Sequence, residues 1–246
     1  MSTTGIATGV DWHTHSDLTD GADPPAAMAD AAVRAGLTGW GLSDHVRADS
    51  TWVDGYATTV RALRPAGVRV HLGVEAKLLD RHGHLDLPPG LPQLDHVLVA
   101  DHQFPGDDGP LSPATVRLML DERRIGAAAV VDTLVEATCR GVARSPAPAI
   151  VAHLFSLLPK LGLDEDDDVT TEHRAALVAA LVATDSAVEV NEKWRCPSVV
   201  TVRTLLAGGA RVVHGSDAHR AGEVGRHAYV DEVVAALEAA DAGAPR

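Results

Sequence analysis

The residues of this 246-residue chain that could do chemistry are histidines and carboxylates standing just after short apolar runs. His13 and His15 are alternate residues, and alternate residues of an extended strand point the same way, so two imidazoles can reach one ion. The pattern recurs at His45, Glu75, His102, His153 and the Asp217/His219 pair. Gathering so many ionisable groups is costly without a cation to neutralise them, so a metal site is the expected chemistry. Each ion takes about four to six such ligands, so eight or nine of them imply two or three ions, with Glu75 as the natural bridge. Imidazole and carboxylate suit zinc, manganese or iron about equally. Asp20 would complete the set, Gly21 permitting the turn that brings it over the site; plain Asp-Gly turn chemistry is its alternative reading.

The elements that must position these groups are legible as β-rich apolar runs ending near Trp12, Leu42, Val74, Val99, Ala152, Val190 and Val213, with Ala-rich helical segments between them. Asp23-Pro24-Pro25, Ser112-Pro113 and Pro197-Ser198 open helices, and Gly36 closes one. This predicts seven strands, each followed by a helix, in an α/β fold with a parallel sheet; the length suits a barrel of about 250 residues. The carboxyl ends of parallel strands open onto one face, so the candidate ligands should converge there. Lys77 to Pro92 and the acidic run Asp164 to Asp168 break the repeat and are expected as loops, the acidic run solvated because adjacent carboxylates repel. His71, His96, His173, His214 and His227 fall at strand starts, within a strand or on helical segments, and are expected to be structural. His82 and His84 lie in the long loop, where they contact substrate or are merely solvated. No linker is evident, which predicts one domain over 1–246, with a frayed tail from Asp241 to Arg246.

Composition narrows the function classes. At 46 % hydrophobic and 3 % aromatic residues, the core must be built from Ala, Val and Leu. The net charge of −13 offers no positive field for a phosphate backbone, which argues against nucleic-acid binding. Two cysteines, Cys139 and Cys196, fit a reducing compartment. No stretch approaches the roughly 20 apolar residues of a membrane span, and Met1 to Val10 lacks a signal-peptide layout, so the chain is expected to be cytoplasmic and not membrane-bound. Homo-oligomerisation is left open.

Together the segments Asp11-Trp12-His13-Thr14-His15-Ser16 with Thr19-Asp20-Gly21, Leu42-Ser43-Asp44-His45, Gly73-Val74-Glu75-Ala76, Asp101-His102-Gln103-Phe104, Val151-Ala152-His153-Leu154, Glu189-Val190-Asn191 and Gly215-Ser216-Asp217-Ala218-His219 resemble the polymerase-and-histidinol-phosphatase (PHP) family of metal-dependent phosphoesterases. The resemblance implies a distorted (β/α)7 TIM-like barrel with a trinuclear site at the C-terminal ends of the strands. It assigns His13, His15, Glu75 and Asp217 to one ion, Glu75, His102 and His153 to a second, and Asp20, His45 and His219 to a third. The run Val151 to Gly162 looks most like the histidinol-phosphatase branch, with departures at Phe155, at Asp101 and in Glu192-Lys193-Trp194-Arg195-Cys196-Pro197.

The expected reaction is hydrolysis of a small-metabolite phosphate monoester. Water held between two ions has its pKa lowered towards neutrality, and a bridging hydroxide would attack phosphorus without a protein nucleophile. Glu75 and Asp217 would hold the ions, and His219 or a metal-bound water would protonate the leaving group. Arg195, which follows the sixth strand end at Asn191, is the leading candidate for the phosphate fork, with Lys193 and Arg220 as alternatives and His82 as a further contact. Trp194 either stacks on the leaving group or packs on the rim. The alternatives are a phosphodiesterase or nucleotide phosphatase, an amidohydrolase, and a non-catalytic binding module. His102 stands where amidohydrolases generally carry a carbamylated lysine, which disfavours the second.

Overall fold

The structure, a computed structural model, describes residues 5–243; residues 1–4 and the last three of the Asp241–Arg246 tail lie outside the described residues. The strands are β1 (Ala7–Asp11), β2 (Gly39–Leu42), β3 (His45–Val46), β4 (Arg69–Lys77), β5 (His96–Ala100), β6 (Phe104–Gly106), β7 (Gly109–Leu111), β8 (Ala149–Val151), β9 (Ala187–Asn191) and β10 (Arg211–Gly215). Seven of them pair in parallel in the order β2-β1-β10-β9-β8-β5-β4, and a β2–β4 pairing closes the ring. The fold is therefore a closed seven-strand α/β barrel. β3 takes over from β2 along β4, where His45 registers with Glu75, while β6 and β7 form an antiparallel hairpin outside the ring.

The helices are α1 (Pro25–Arg34), α2 (Val53–Ala62), α3 (Pro113–Asp121), α4 (Ala127–Arg144), α5 (Leu158–Leu161), α6 (Glu165–Asp168), α7 (Thr171–Ala183), α8 (Val199–Ala207) and α9 (Ala228–Gly243). The loop expected from Lys77 to Pro92 is present, β4 running to β5 through residues 78–95 without a helix, so the pattern of a helix after every strand fails at that one place. Pro88, Pro89 and Pro92 explain it, since each lacks an N–H and pushes the preceding residue out of helical backbone. The acidic run is corrected in the other direction, closing one helical turn as α6 because the Asp164 side chain accepts the Asp166 and Asp167 N–H groups. The tail expected to fray from Asp241 is helical through Gly243. No helix among the described residues is long and apolar enough to cross a membrane.

Period-2 alternation divides the buried residues into two sets. Val97, Val99, Val151, Val188, Val190 and Val212 face the helices, whereas Leu98, Ile150, Ala187 and Val213 pack with Trp12 as a separate cluster inside the barrel. Below that cluster, His96 Nε2 lies 2.8 Å from Ser43 Oγ, with its ring edge-on to Trp12 at 5.3 Å. Gly73 makes room for it, because a Cβ there would stand 2.3 Å from the His96 ring. Burial depresses the His96 pKa to about 4, so the barrel floor is held by a neutral imidazole.

Candidate metal centre

Period 2 also carries the inward row up to the mouth of the barrel. On β4 the inward residues are His71, Gly73 and Glu75; on β9 they are Ala187, Glu189 and Asn191. β4 runs three residues past the expected end near Val74, pairing Lys77 with Ala100, so Glu75 lies inside the strand. Asp11, at the end of β1, accepts N–H bonds from Ser216 and Gly225 and so ties the His13/His15 segment to the loop carrying Asp217 and His219. Asp44 accepts from Ser16 and Thr19, which fixes the loop bearing Asp20.

Glu75 is the hub. It is 1 % exposed, and five imidazole nitrogens surround its carboxylate: His102 and His153 at 2.9 and 3.1 Å from Oε1, and His45, His15 and His13 at 2.9, 3.3 and 3.5 Å from Oε2. Burial pushes the Glu75 carboxyl up, but the charges of His102 and His13 outweigh it and hold the group well below the usual range. His13 and His15 bring their Nε2 atoms within 2.9 Å of each other, and Asp217 Oδ1 lies 3.8 and 3.6 Å from them. Asp20 Oδ2 reaches His45 and His219 at 3.3 and 3.2 Å.

Three groups of donor atoms each fall within 4.8 Å of one another: His15, Asp20, His45 and His219; His13, His15 and Asp217; and His45, Glu75 and His102. The structure thus brings eight of the nine expected ligands into these groups, and the ninth, His153, joins through Glu75. His15 and His45 each fall in two groups, unlike the partition that the family resemblance implies. The donor set fits divalent ions. Imidazole nitrogen and carboxylate oxygen converge, and His15 Nδ1 is buried without a hydrogen bond. Burial, against which Glu75 acts less strongly, keeps the His15 pKa well below normal and leaves its ring neutral, the form that binds metal.

The other expected site residues scatter. Lys193 enters the cleft, with its ammonium 3.3 Å from Asp217 Oδ1 and 3.1 Å from His219 Nδ1. Trp194 donates its indole N–H to Asp217 Oδ2 at 2.9 Å, while Lys160 sits 3.9 Å over its ring. Asn191 is buried, donating to Glu189 and accepting the Trp194 N–H. Arg195, Arg220 and His82 stand outside the residues that line the cleft. Arg195 has left-handed backbone (φ 53°), which turns its guanidinium outward onto Glu232 and over the Tyr229 ring. Arg220 is exposed before a short 3-10 turn, and His82 is exposed with its carbonyl accepting from Arg144.

Two sets of residues carry roles that the sequence reading did not assign. Glu189 is fully buried, and both of its oxygens lie 3.0 Å from His13 Nδ1 while Oε1 also accepts the His153 N–H. Its signal was its position two residues before Asn191 on an inward row. Arg47, Trp52, Lys77 and Gln103 line the wall of the cleft, which has a volume of about 780 Å³. Arg47 and Lys77 stand two residues beyond His45 and Glu75, a relation the sequence displays.

No protein of the curated set matches the chain. Among solved structures, the barrel is similar to a Listeria monocytogenes chain assigned as the histidinol phosphatase HisK, with TM-score 0.68, 16 % identity, and 90 % of this chain and 99 % of that one covered. It is also similar to the histidinol phosphate phosphatase of Lactococcus lactis subsp. lactis, solved with zinc, L-histidinol and phosphate, with TM-score 0.62, 14 % identity and coverage of 95 % and 93 %. At these identities the likeness is one of fold. The PHP domain model matches residues 11–192, most of the length and seven of the nine expected ligands, Asp217 and His219 lying beyond it, and the chain belongs to the PHP domain family.

Proposed function

We propose that this PHP-family protein hydrolyses small-metabolite phosphate monoesters, in the manner of a histidinol phosphatase, using two or three divalent ions. The observation that carries the reading is Glu75, buried within 3.5 Å of five imidazole nitrogens at the floor of an open cleft. Divalent ions held by His13, His15, Asp20, His45, Glu75, His102, His153, Asp217 and His219 supply Lewis acidity and a lowered water pKa. The protein's own contribution is position. Glu189 orients His13, Trp194 holds one oxygen of Asp217, and Lys193 brings a positive charge beside Asp217 and His219. His219, at the rim and 22 % exposed, or a water on an ion held there would protonate the leaving oxygen.

The test is free phosphate release by manganese- or zinc-reconstituted protein across a panel of metabolite monoesters, L-histidinol phosphate included. Release that falls about a hundredfold or more in His13→Ala supports the reading. Release only from diesters or nucleotides moves the activity to those substrates. No release by protein that contains metal overturns it.

A further inference from the structure

Beyond the ligands, the inward rows of β3 and β4 continue into a second tier. His45 registers with Glu75 and Val46 with Ala76, and Arg47 and Lys77 are the residues that follow these pairs in sequence. Ala76 is buried away from the cleft, whereas His45, Val46, Arg47, Glu75 and Lys77 line it. Two residues of strand advance about 6.6 Å, so these cations stand one layer outward from the ligands. Gln103, following His102 on the neighbouring segment, belongs to the same layer, its Oε1 accepting from Lys77 Nζ at 3.4 Å.

Carboxylates balance two of the cations that line the cleft but not the third. Lys77 Nζ lies 3.8 Å from Asp86, and Lys193 Nζ lies 3.3 Å from Asp217. Arg47 has no carboxylate within 4.0 Å among the described residues, although Asp49 lines the same wall. Its backbone is fixed all the same. The Arg47 N–H donates to Ser50 Oγ, the Ser50 N–H returns to the Arg47 carbonyl, and the adjacent Ala48 N–H donates to Asp86. Arg47, exposed on an anchored turn in the cleft wall and without an ion-pair partner, is free to take an oxyanion, because its guanidinium fork matches carboxylate or phosphate and stays charged at every working pH.

We infer that Arg47 recognises a second anionic group, a carboxylate or a further phosphate on the leaving group, so that the preferred substrate is a phosphate ester of an acidic metabolite. The inference rests on the phosphomonoesterase reading. The layer spacing puts the second anion one step outward from the reacting phosphate, with Trp52 beside it to cover the carbon body. An ammonium-bearing alcohol such as L-histidinol would instead present its positive charge to Arg47.

Two arms test it. In the first, calorimetry on metal-loaded protein compares 3-phosphonopropionate with propylphosphonate, which differ by one carboxylate. The expected result is about tenfold tighter binding of the carboxylate-bearing probe, lost in Arg47→Gln and partly kept in Arg47→Lys. Equal affinities in the unaltered protein overturn the inference. So does an equal weakening of both probes in Arg47→Gln, which would assign Arg47 to the reacting group. In the second arm, kcat/KM is compared for 3-phosphoglycerate, glycerol 3-phosphate and phosphoethanolamine, with the anionic ester expected highest and the cationic lowest; the reverse order overturns it. If no ester is turned over, the phosphatase reading fails, and the binding arm still decides the role of Arg47.

Discussion

Glu189 points both carboxylate oxygens at Nδ1 of His13, each 3.0 Å away, from a position fully shielded from water. Burial raises the carboxyl pKa, but the His13 charge more than offsets it, so Glu189 is ionised. An ionised acceptor at Nδ1 holds a proton there, so Nε2, which faces His15, Glu75 and Asp217, is the nitrogen that gives up its proton when an ion binds. Partners of this kind fix the tautomer of a metal-binding imidazole and raise its basicity.

Glu189→Gln removes the charge while keeping the shape. Zinc affinity, read by competition with a chromophoric chelator, should fall about 10- to 100-fold with the fold retained. An unchanged affinity would separate Glu189 from the metal centre.

Trp194 plays the corresponding part for Asp217. Its indole N–H occupies Oδ2, leaving Oδ1 to face His13, His15 and His219. Trp194→Phe keeps a ring under Lys160 but removes the donor, and should weaken metal binding about tenfold, the worth of a hydrogen bond to a charged group. Were Trp194 only a packing surface, Phe would restore wild-type affinity and Ala alone would reduce it.

The barrel floor sets an acid limit. His96 is protonated at about pH 6.5 in the unfolded chain but only at about 4 in the folded one, so the unfolded state binds more protons between these values. Stability is therefore full above pH 6.5 and declines as pH falls towards 4, by roughly 3 kcal/mol from this group. Urea unfolding of the wild type and His96→Gln at pH 7.5 and 4.5 should show the gap between them narrowing or reversing at the lower pH. A constant gap would mean that His96 takes up its proton without disturbing the floor.

The ligand set was legible because parallel strands impose it. Residues following β-rich runs share one end of a barrel, and the His13-x-His15 spacing already places both rings on one side. The pairing of Arg195 with Glu232 was not legible, because its left-handed backbone redirects the side chain and no composition signal marks such a turn when the residue is not glycine. The missing helix after β4 could have been read from its three prolines, which the sequence reading did separate from the repeat. Arg47 and Glu189 escaped for opposite reasons. β3 is only two residues long, too short to display an alternation. Glu189 lies within an apolar run whose buried charge makes sense only once His13, 176 positions away in sequence, is beside it.

Metal stoichiometry tests the centre most directly. Protein dialysed against zinc or manganese and analysed for metal should hold two or three ions per chain, and Glu75→Ala, which removes the carboxylate shared by five imidazoles, should lose more than one of them. One ion or none in the wild type, or a Glu75→Ala protein that keeps its full complement, would contradict a multinuclear centre organised by Glu75.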